Sequence, residues 1–530
     1  MTRANNVRPW WEAGVVYQIY PRSFQDSDGD GIGDLEGVRQ RLDHIVALGA
    51  DAIWLSPIFP SPMADFGYDV ADYCNIDPMF GDLDHFDALL SEAHARGLKL
   101  LLDFVPNHTS DQHPWFIESR ASRDNPKRDW YFWRDPASGG GPPNNWMSDM
   151  GGSAWEFDKR TGQYYLHAFL KEQADLNWRN PEVRKAMDDV LHFWFARGVD
   201  GFRIDVLWHC IKAEGLPDNP PNPDYYRELG EKFLVLQHNS ANRPEIHAIA
   251  ANFRTIADQY GDRLLVGEIC LPVPALMEYY GNDQAPGVHL PFNFQLLDAP
   301  WDAAALAALI TQYEAALPPG GWPNWVMGSH DAPRIAGRLG DAQARVAAML
   351  LLTLRGTPTL YQGDELGIGL VRIPQDRIRD PQDLRQPGLG LGRDGARTPM
   401  AWDSSPHGGF STAEPWLPLH EDWERRNVAA QASDANSMLS LYRRLMALRR
   451  GSPALSIGTK SAIKGEDGVL VYQRKHENEC LLVALNLTSE PRDLPLPSSV
   501  RQCLASTIAN RRFDGTLLPD EGVVLQLEEY

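Results

Sequence analysis

The chain repeats one unit near its start: an apolar helical stripe, a glycine, then a short apolar strand. Leu35, Val38, Leu42, Ile45 and Leu48 recur at helical spacing, Gly49 stops the helix, and "DAIWLSP" reads as a buried strand. Phe86, Leu89, Leu90 and Ala93 repeat the pattern, followed by Gly97 and "LKLLLDFV". Pro181 opens a third copy, with Val183, Met187, Val190 and Trp194 on one face, Gly198 as the stop and "VDGFRIDV" behind it. "GVVYQIYPRSF" precedes the first helix as a strand, and "RLLVGEI", "GVHLPFNF", "NWVMGSH" and "TPTLYQG" continue the series. Apolar strands joined through helices pair in parallel, with both sheet faces covered. About eight such units predict an α/β fold, the (β/α)8 TIM barrel.

Two long stretches interrupt the rhythm. Residues 104–174, rich in Trp, Tyr, Gly and Pro ("PPNNW", "GGSAWEFD"), read as a subdomain inserted after the third strand. Residues 368–430 form a long loop region carrying "IPQDRIRDP" and "GRDGARTPMAWD". Loops of that length in a compact domain are usually functional. A shorter Pro-rich loop, "GLPDNPPNPDYY", follows the fourth strand. The last helix ends at Gly451, and "GVLVYQRK" and "CLLVALNLT" beyond it predict a small antiparallel β-domain. The expected division is a catalytic barrel over 1–103 and 175–451, an inserted B-domain over 104–174, and a C-terminal β-domain over 452–530.

Charge narrows the partners. A formal net charge of −21 disfavours nucleic acid and anionic membranes, although solubility alone also accounts for it. No stretch approaches the roughly 18–20 apolar residues of a membrane span. "MTRANNVRPWWEAG" carries no apolar export signal. Cys74, Cys210, Cys270, Cys480 and Cys503 are odd in number, widely spaced and without a CxxC, so they are read as small buried core residues. A reducing cytoplasm is the expected location.

Barrel enzymes place their chemistry at the C-terminal ends of the strands. The third strand ends in Asp103, with Asn107 and His108 beyond it. The fourth carries Arg203 and Asp205, the fifth ends in Glu268, and the seventh leads to His330 and Asp331. A single strand-end acid is often only a helix cap. Four acids at four strand ends converge on one pocket. Crowded carboxylates drive one of their number to hold a proton, which suits a general acid, while an ionised partner attacks or stabilises a cation. Retaining glycoside hydrolysis uses such a pair. Arg203 lies two residues before Asp205, on the same face, and is expected to keep Asp205 ionised.

"DFVPNH", "GFRID", "GEI" and "SHD", in this order, resemble the four signature regions of the α-amylase family, glycoside hydrolase family 13. "QADLN", "DFGYDVADY" and "RTPMAWD" resemble its α-glucosidase and oligo-1,6-glucosidase branch. The resemblance implies Asp205 as nucleophile, Glu268 as general acid/base and Asp331 as the carboxylate gripping the sugar's 2- and 3-hydroxyls. It implies that Asp65 and Arg397 close together on the 4-hydroxyl of the terminal glucose, making the pocket blind and the enzyme exo-acting. Tyr68 would stack under that ring, with His108, Arg203 and His330 as a polar clamp. Phe169 and Gln173 are read either as pocket wall or as ordinary B-domain packing. Four positions depart from the usual family residues or bear on linkage: Ser329, Ala174, Met150 and Val206. Val206 resembles α-1,6-preferring members, but the segment after it does not, so linkage preference stays open.

The implied activity is release of glucose from short α-glucosides of the maltose or isomaltose type, with glucosyl transfer to alcohol or sugar acceptors. A sucrose- or trehalose-directed isomerase or transferase is the alternative. A non-catalytic relative would have lost the three carboxylates, which this chain keeps. "DSDGDGIGDLEG" looks at first like a calcium-sensor loop, but its twelfth position is Gly37 where an EF-hand needs Glu. The resemblance instead implies a structural Ca2+ (or Mg2+) held by Asp26, Asp28, Asp30, the Ile32 carbonyl and Asp34. A metal-free acidic turn is the other reading.

Overall fold

The computed structural model describes residues 8–494 and 500–528, so the first seven residues of the stretch read for an export signal lie outside it. Eight parallel strands form the central sheet: β1 Val16–Ile19, β2 Ala52–Leu55, β3 Lys99–Phe104, β4 Gly201–Ile204, β5 Leu264–Glu268, β6 Leu290–Phe292, β7 Asn324–Val326 and β8 Thr357–Tyr361. Their spatial order is β6-β5-β4-β3-β2-β1-β8-β7. A parallel bridge between Asn293 and Trp325 joins the two ends and closes the barrel.

Alternation along each strand sorts the side chains into two layers. Val16, Trp54, Leu101, Val266, Phe292 and Val326 fill the barrel interior. Tyr17, Ile53, Leu100, Phe202 and Leu265 face outward, into the larger core beneath the helices. Gly201 begins β4 because a Cβ there would sit 2.2 Å from the Leu264 carbonyl oxygen. The expected helix from Leu35 to Leu48 is two helices, Leu35–Gln40 and Leu42–Leu48, broken at Arg41. Its apolar spacing survives the break, which is why the periodicity did not reveal it.

Between β3 and β4 the chain leaves the barrel. His108–Ser110 pairs antiparallel with Gln173–Asp175, and a three-stranded sheet of Trp133–Arg134, Gln163–Leu166 and Trp155–Asp158 lies beyond. At the other end, Val469–His476, Glu479–Asn486 and Gly522–Leu527 build an antiparallel sheet. Among the described residues no helix is long and apolar enough to cross a membrane. All five cysteines are free, and the expectation that all are buried fails: Cys210 is buried, Cys270 is exposed, and the other three are intermediate. Cys270 follows β5 by two residues, where the chain leaves the sheet for the barrel mouth.

Candidate active site

The strand ends meet around one guanidinium. Arg203, 2% exposed, donates from Nη1 to Asp103 Oδ1 at 2.8 Å and to Asp205 Oδ1 at 2.7 Å, while its Nη2 lies 2.8 Å from Glu268 Oε2. The pairing register explains the meeting: Asp103 lies opposite Arg203, and β4 runs between β3 and β5. The Val206 N–H donates to Glu268 Oε2 at 2.9 Å. Val206 holds φ of 35°, a left-handed backbone that a β-branched residue rarely adopts. This strained turn aims its amide at Glu268.

Three carboxylates share that one cation. Burial and the charges of Glu268, Asp103 and Asp331 push Asp205 well above the usual carboxylate range, and Arg203 only partly opposes them. Burial likewise lifts Asp103 to about 6. Asp103 and Asp205 therefore titrate as members of one coupled cluster.

Asp331 behaves in the opposite way. Burial pushes its carboxyl up, but His330, Arg397 and Arg393 outweigh that and hold it well below the ordinary range. Arg397 Nη2 donates to Asp331 Oδ1 at 2.6 Å, and His330 Nε2 lies 3.1 Å from Oδ2. Burial drives His330 down to about 3, so the ring is neutral. Gln18 Nε2, a donor, sits 2.7 Å from His330 Nδ1, which leaves the ring proton on Nε2, between Tyr68 and Asp331. Tyr68 Oη also donates to Asp103 Oδ2 at 3.0 Å, tying the two halves of the site together.

On the inserted side, His108 Nε2 lies 3.0 Å from the Tyr68 carbonyl, and its ring is held neutral by burial, at about 4. Phe169 packs against both His108 and His209. Gln173 Nε2 reaches Asp65 Oδ2 at 3.3 Å, so Gln173 does touch the site.

Residues 18–458 match the family model for the α-amylase catalytic domain. The chain belongs to the α-amylase family. A protein named probable α-glucosidase from Rhizobium meliloti strain 1021 is 44% identical over 506 residues, covering 92% of this chain and 91% of its own length. The solved structure of an α-glucosyl transfer enzyme, XgtA, superposes with a TM-score of 0.93 at 40% identity, covering 98% of this chain and all of that one. The trehalulose synthase MutB follows with a TM-score of 0.90 at 34% identity over the same shares.

One expected pairing is corrected. Arg397 does not face Asp65. Its Nε donates to the His330 carbonyl and its Nη2 to Asp331, and the guanidinium lies over the Tyr20 and Phe66 rings. The partner of Asp65 is Arg393, through Nη2 to Oδ1 at 2.8 Å. Arg393 was missed although it stands in the quoted "GRDGARTPMAWD". Two arginines four residues apart on an irregular loop give no periodicity to choose between them.

A second feature carried no signal in a single sequence. Lys212, 1% exposed, lies 2.6 Å from Asp175 Oδ2, donates to Asn107 Oδ1 at 2.8 Å and also donates to the His209 carbonyl. Its ammonium fills an oxygen-lined cradle between the loop after β4 and the inserted segment. Because lysine only donates, Asn107 must turn its oxygen to Lys212 and its amide to His108 Nδ1, 3.1 Å away. His108 is thereby protonated on Nε2 and donates to Tyr68.

Met150 is buried, and Arg385 grips its carbonyl and that of Gly151. Ser329 Oγ accepts from the Asp331 amide, and Ala174 lies in the Gln173–Asp175 strand. A separate cavity of about 390 Å³, bordered by Arg128, Trp133, Arg134 and Leu216, includes none of the active-site carboxylates.

In the first βα loop, ligand oxygens of Asp26, Asp28 and Asp34 all lie within 4.8 Å of one another. Asp30 lies beside that group, and its Oδ1 accepts from the Ile32 amide. Asp26 accepts from three loop amides and Ser411, and Asp34 from the Ser27 and Gly37 amides, so the backbone itself folds around these acids. Burial, together with neighbouring acids, raises Asp34 and Asp30. An all-oxygen set of this kind fits a hard divalent cation.

Proposed function

We propose that this chain is a retaining, exo-acting α-glucosidase that releases glucose from short α-glucosides and transfers glucosyl groups to alcohol or sugar acceptors. The observation that carries the reading is the Arg203 bridge. It holds Asp205 and Glu268 as close neighbours, as a nucleophile and acid must be when no water stands between them.

Glu268 Oε2 lies against the Arg203 guanidinium and accepts from the Val206 amide, which leaves Oε1 to deliver a proton. That proton passes to the glycosidic oxygen as the C1–O bond breaks. Asp205 Oδ2, free of Arg203, forms the new bond to C1. Asp331 faces the ring hydroxyls as the charge develops. Glu268, now a base, takes a proton from water or an alcohol as its oxygen attacks C1 and the C1–Asp205 bond breaks, giving glucose or a new glucoside. Asp65 and Arg393 close the far end.

A second reading, rearrangement of sucrose, has the likeness to trehalulose synthase behind it. Initial rates and products on maltose, isomaltose, nigerose and sucrose separate the two. Free glucose from the first three supports the glucosidase; a rearranged disaccharide from sucrose as the main product overturns it.

A Ca2+ or Mg2+ on Asp26, Asp28 and Asp34 would act structurally, offsetting their mutual repulsion. The loop packs on residues 410–416 through Ser411 and Trp416, so its loss would loosen the scaffold rather than the chemistry. Exhaustive chelation is expected to lower the melting temperature while leaving kcat at mild temperature nearly intact. An unchanged melt would mean that the loop holds no ion.

A further inference from the structure

We infer that Asp380 is a positioning residue that selects Arg393, rather than Arg397, to cap the blind end of the pocket and so enforces recognition of the terminal sugar's 4-hydroxyl. The inference rests on the glucosidase reading above.

Asp380 is fully buried at the start of the helix Pro381–Arg385. It accepts from the Arg393 backbone amide at 2.5 Å, from Nε at 3.1 Å and from Nη2 at 2.8 Å. Its own amide donates to Asp394 Oδ2 at 2.9 Å, so the carboxylate is fixed in turn. A guanidinium has five N–H donors. Asp380 takes Nε–H and one Nη2–H, and Asp65 takes the other Nη2–H. Only Nη1 is left, and its single protein contact is a long one, 3.4 Å to Asp331 Oδ1. Arg393 therefore presents one under-used edge between the two pocket carboxylates, where a sugar hydroxyl would dock.

Without Asp380 that geometry has no support. A freed guanidinium settles bidentate on Asp65, which its Nη2 already meets at 2.8 Å. That pairing consumes both the edge and the carboxylate that the 4-hydroxyl needs. Arg397 cannot take over, because its Nε and Nη2 are committed to His330 and Asp331.

The test compares an aryl α-glucoside with its 4-deoxy analogue in the wild type, Asp380→Ala, Asp380→Asn and Asp380→Glu. The wild type is expected to prefer the 4-hydroxyl substrate by about 10- to 100-fold in kcat/KM, the scale of one hydrogen bond to a charged group. Asp380→Ala should lose most of that preference, chiefly through KM on the parent substrate, with little change on the deoxy sugar. Asp380→Glu should restore part of it. Should Asp380→Ala fail to fold, Asp380→Asn, which keeps the shape and weakens the grip, carries the same ratio. Equal losses on both substrates would show a brace for the loop only and overturn the inference, as would a wild-type ratio in the variants. A wild type inactive on aryl α-glucosides would instead overturn the glucosidase reading itself.

Discussion

Asp205→Asn is expected to lose about 10⁴-fold or more of kcat on an aryl α-glucoside, the scale seen when a nucleophile is removed. Glu268→Gln should lose about 10²- to 10⁴-fold, less for leaving groups that depart without a proton. Both variants should keep their circular dichroism and a cooperative melt, since Arg203 retains partners in each. The pH profile adds a sharper expectation. Glu268 is one of the like charges that hold Asp205 high, so its neutralisation lets Asp205 ionise at lower pH. The acid limb of the residual activity in Glu268→Gln should therefore move to lower pH, and the alkaline limb due to loss of the acid's proton should vanish. Near-normal turnover in Asp205→Asn would remove the basis of the proposed mechanism.

Lys212→Met should be the most destabilising of these changes. It leaves the Asp175 carboxylate, which has no exposed surface, without its cation. Breaking a buried pair from one side costs about 3–5 kcal/mol. For a chain of this size that corresponds to a fall of about 3–5 °C in Tm. The double variant Lys212→Met with Asp175→Asn should recover part of the loss, because the orphan charge is gone. A Lys212→Met protein melting with the wild type would show that water already shields the pair. Because Lys212 also orients Asn107 and, through it, the His108 tautomer, KM should rise at temperatures where the variant is fully folded.

Much of the site was legible before any fold was known. Asp103, Arg203, Asp205 and Glu268 sit on or beside strands, and period two puts them on the inner face. The errors fell elsewhere. Cys270 leaves a strand for the barrel mouth, where an apolar side chain is no guide to burial. Lys212 reads as an ordinary solvated lysine until the inserted segment folds over it.

By itself, the sequence determined the barrel, the strand ends that carry the acids, and the family. These follow from local periodicity and from short motifs whose residues are neighbours in the chain. Only the tertiary structure decided that one guanidinium serves three carboxylates, that Arg393 and not Arg397 meets Asp65, and that an ammonium fills the cradle at Asn107 and Asp175. Those outcomes depend on loop paths and on electrostatics summed over neighbours up to about 330 residues apart in the chain, such as Asp65 and Arg393. Charge acts through space, and no spacing along the chain encodes which charges will share it.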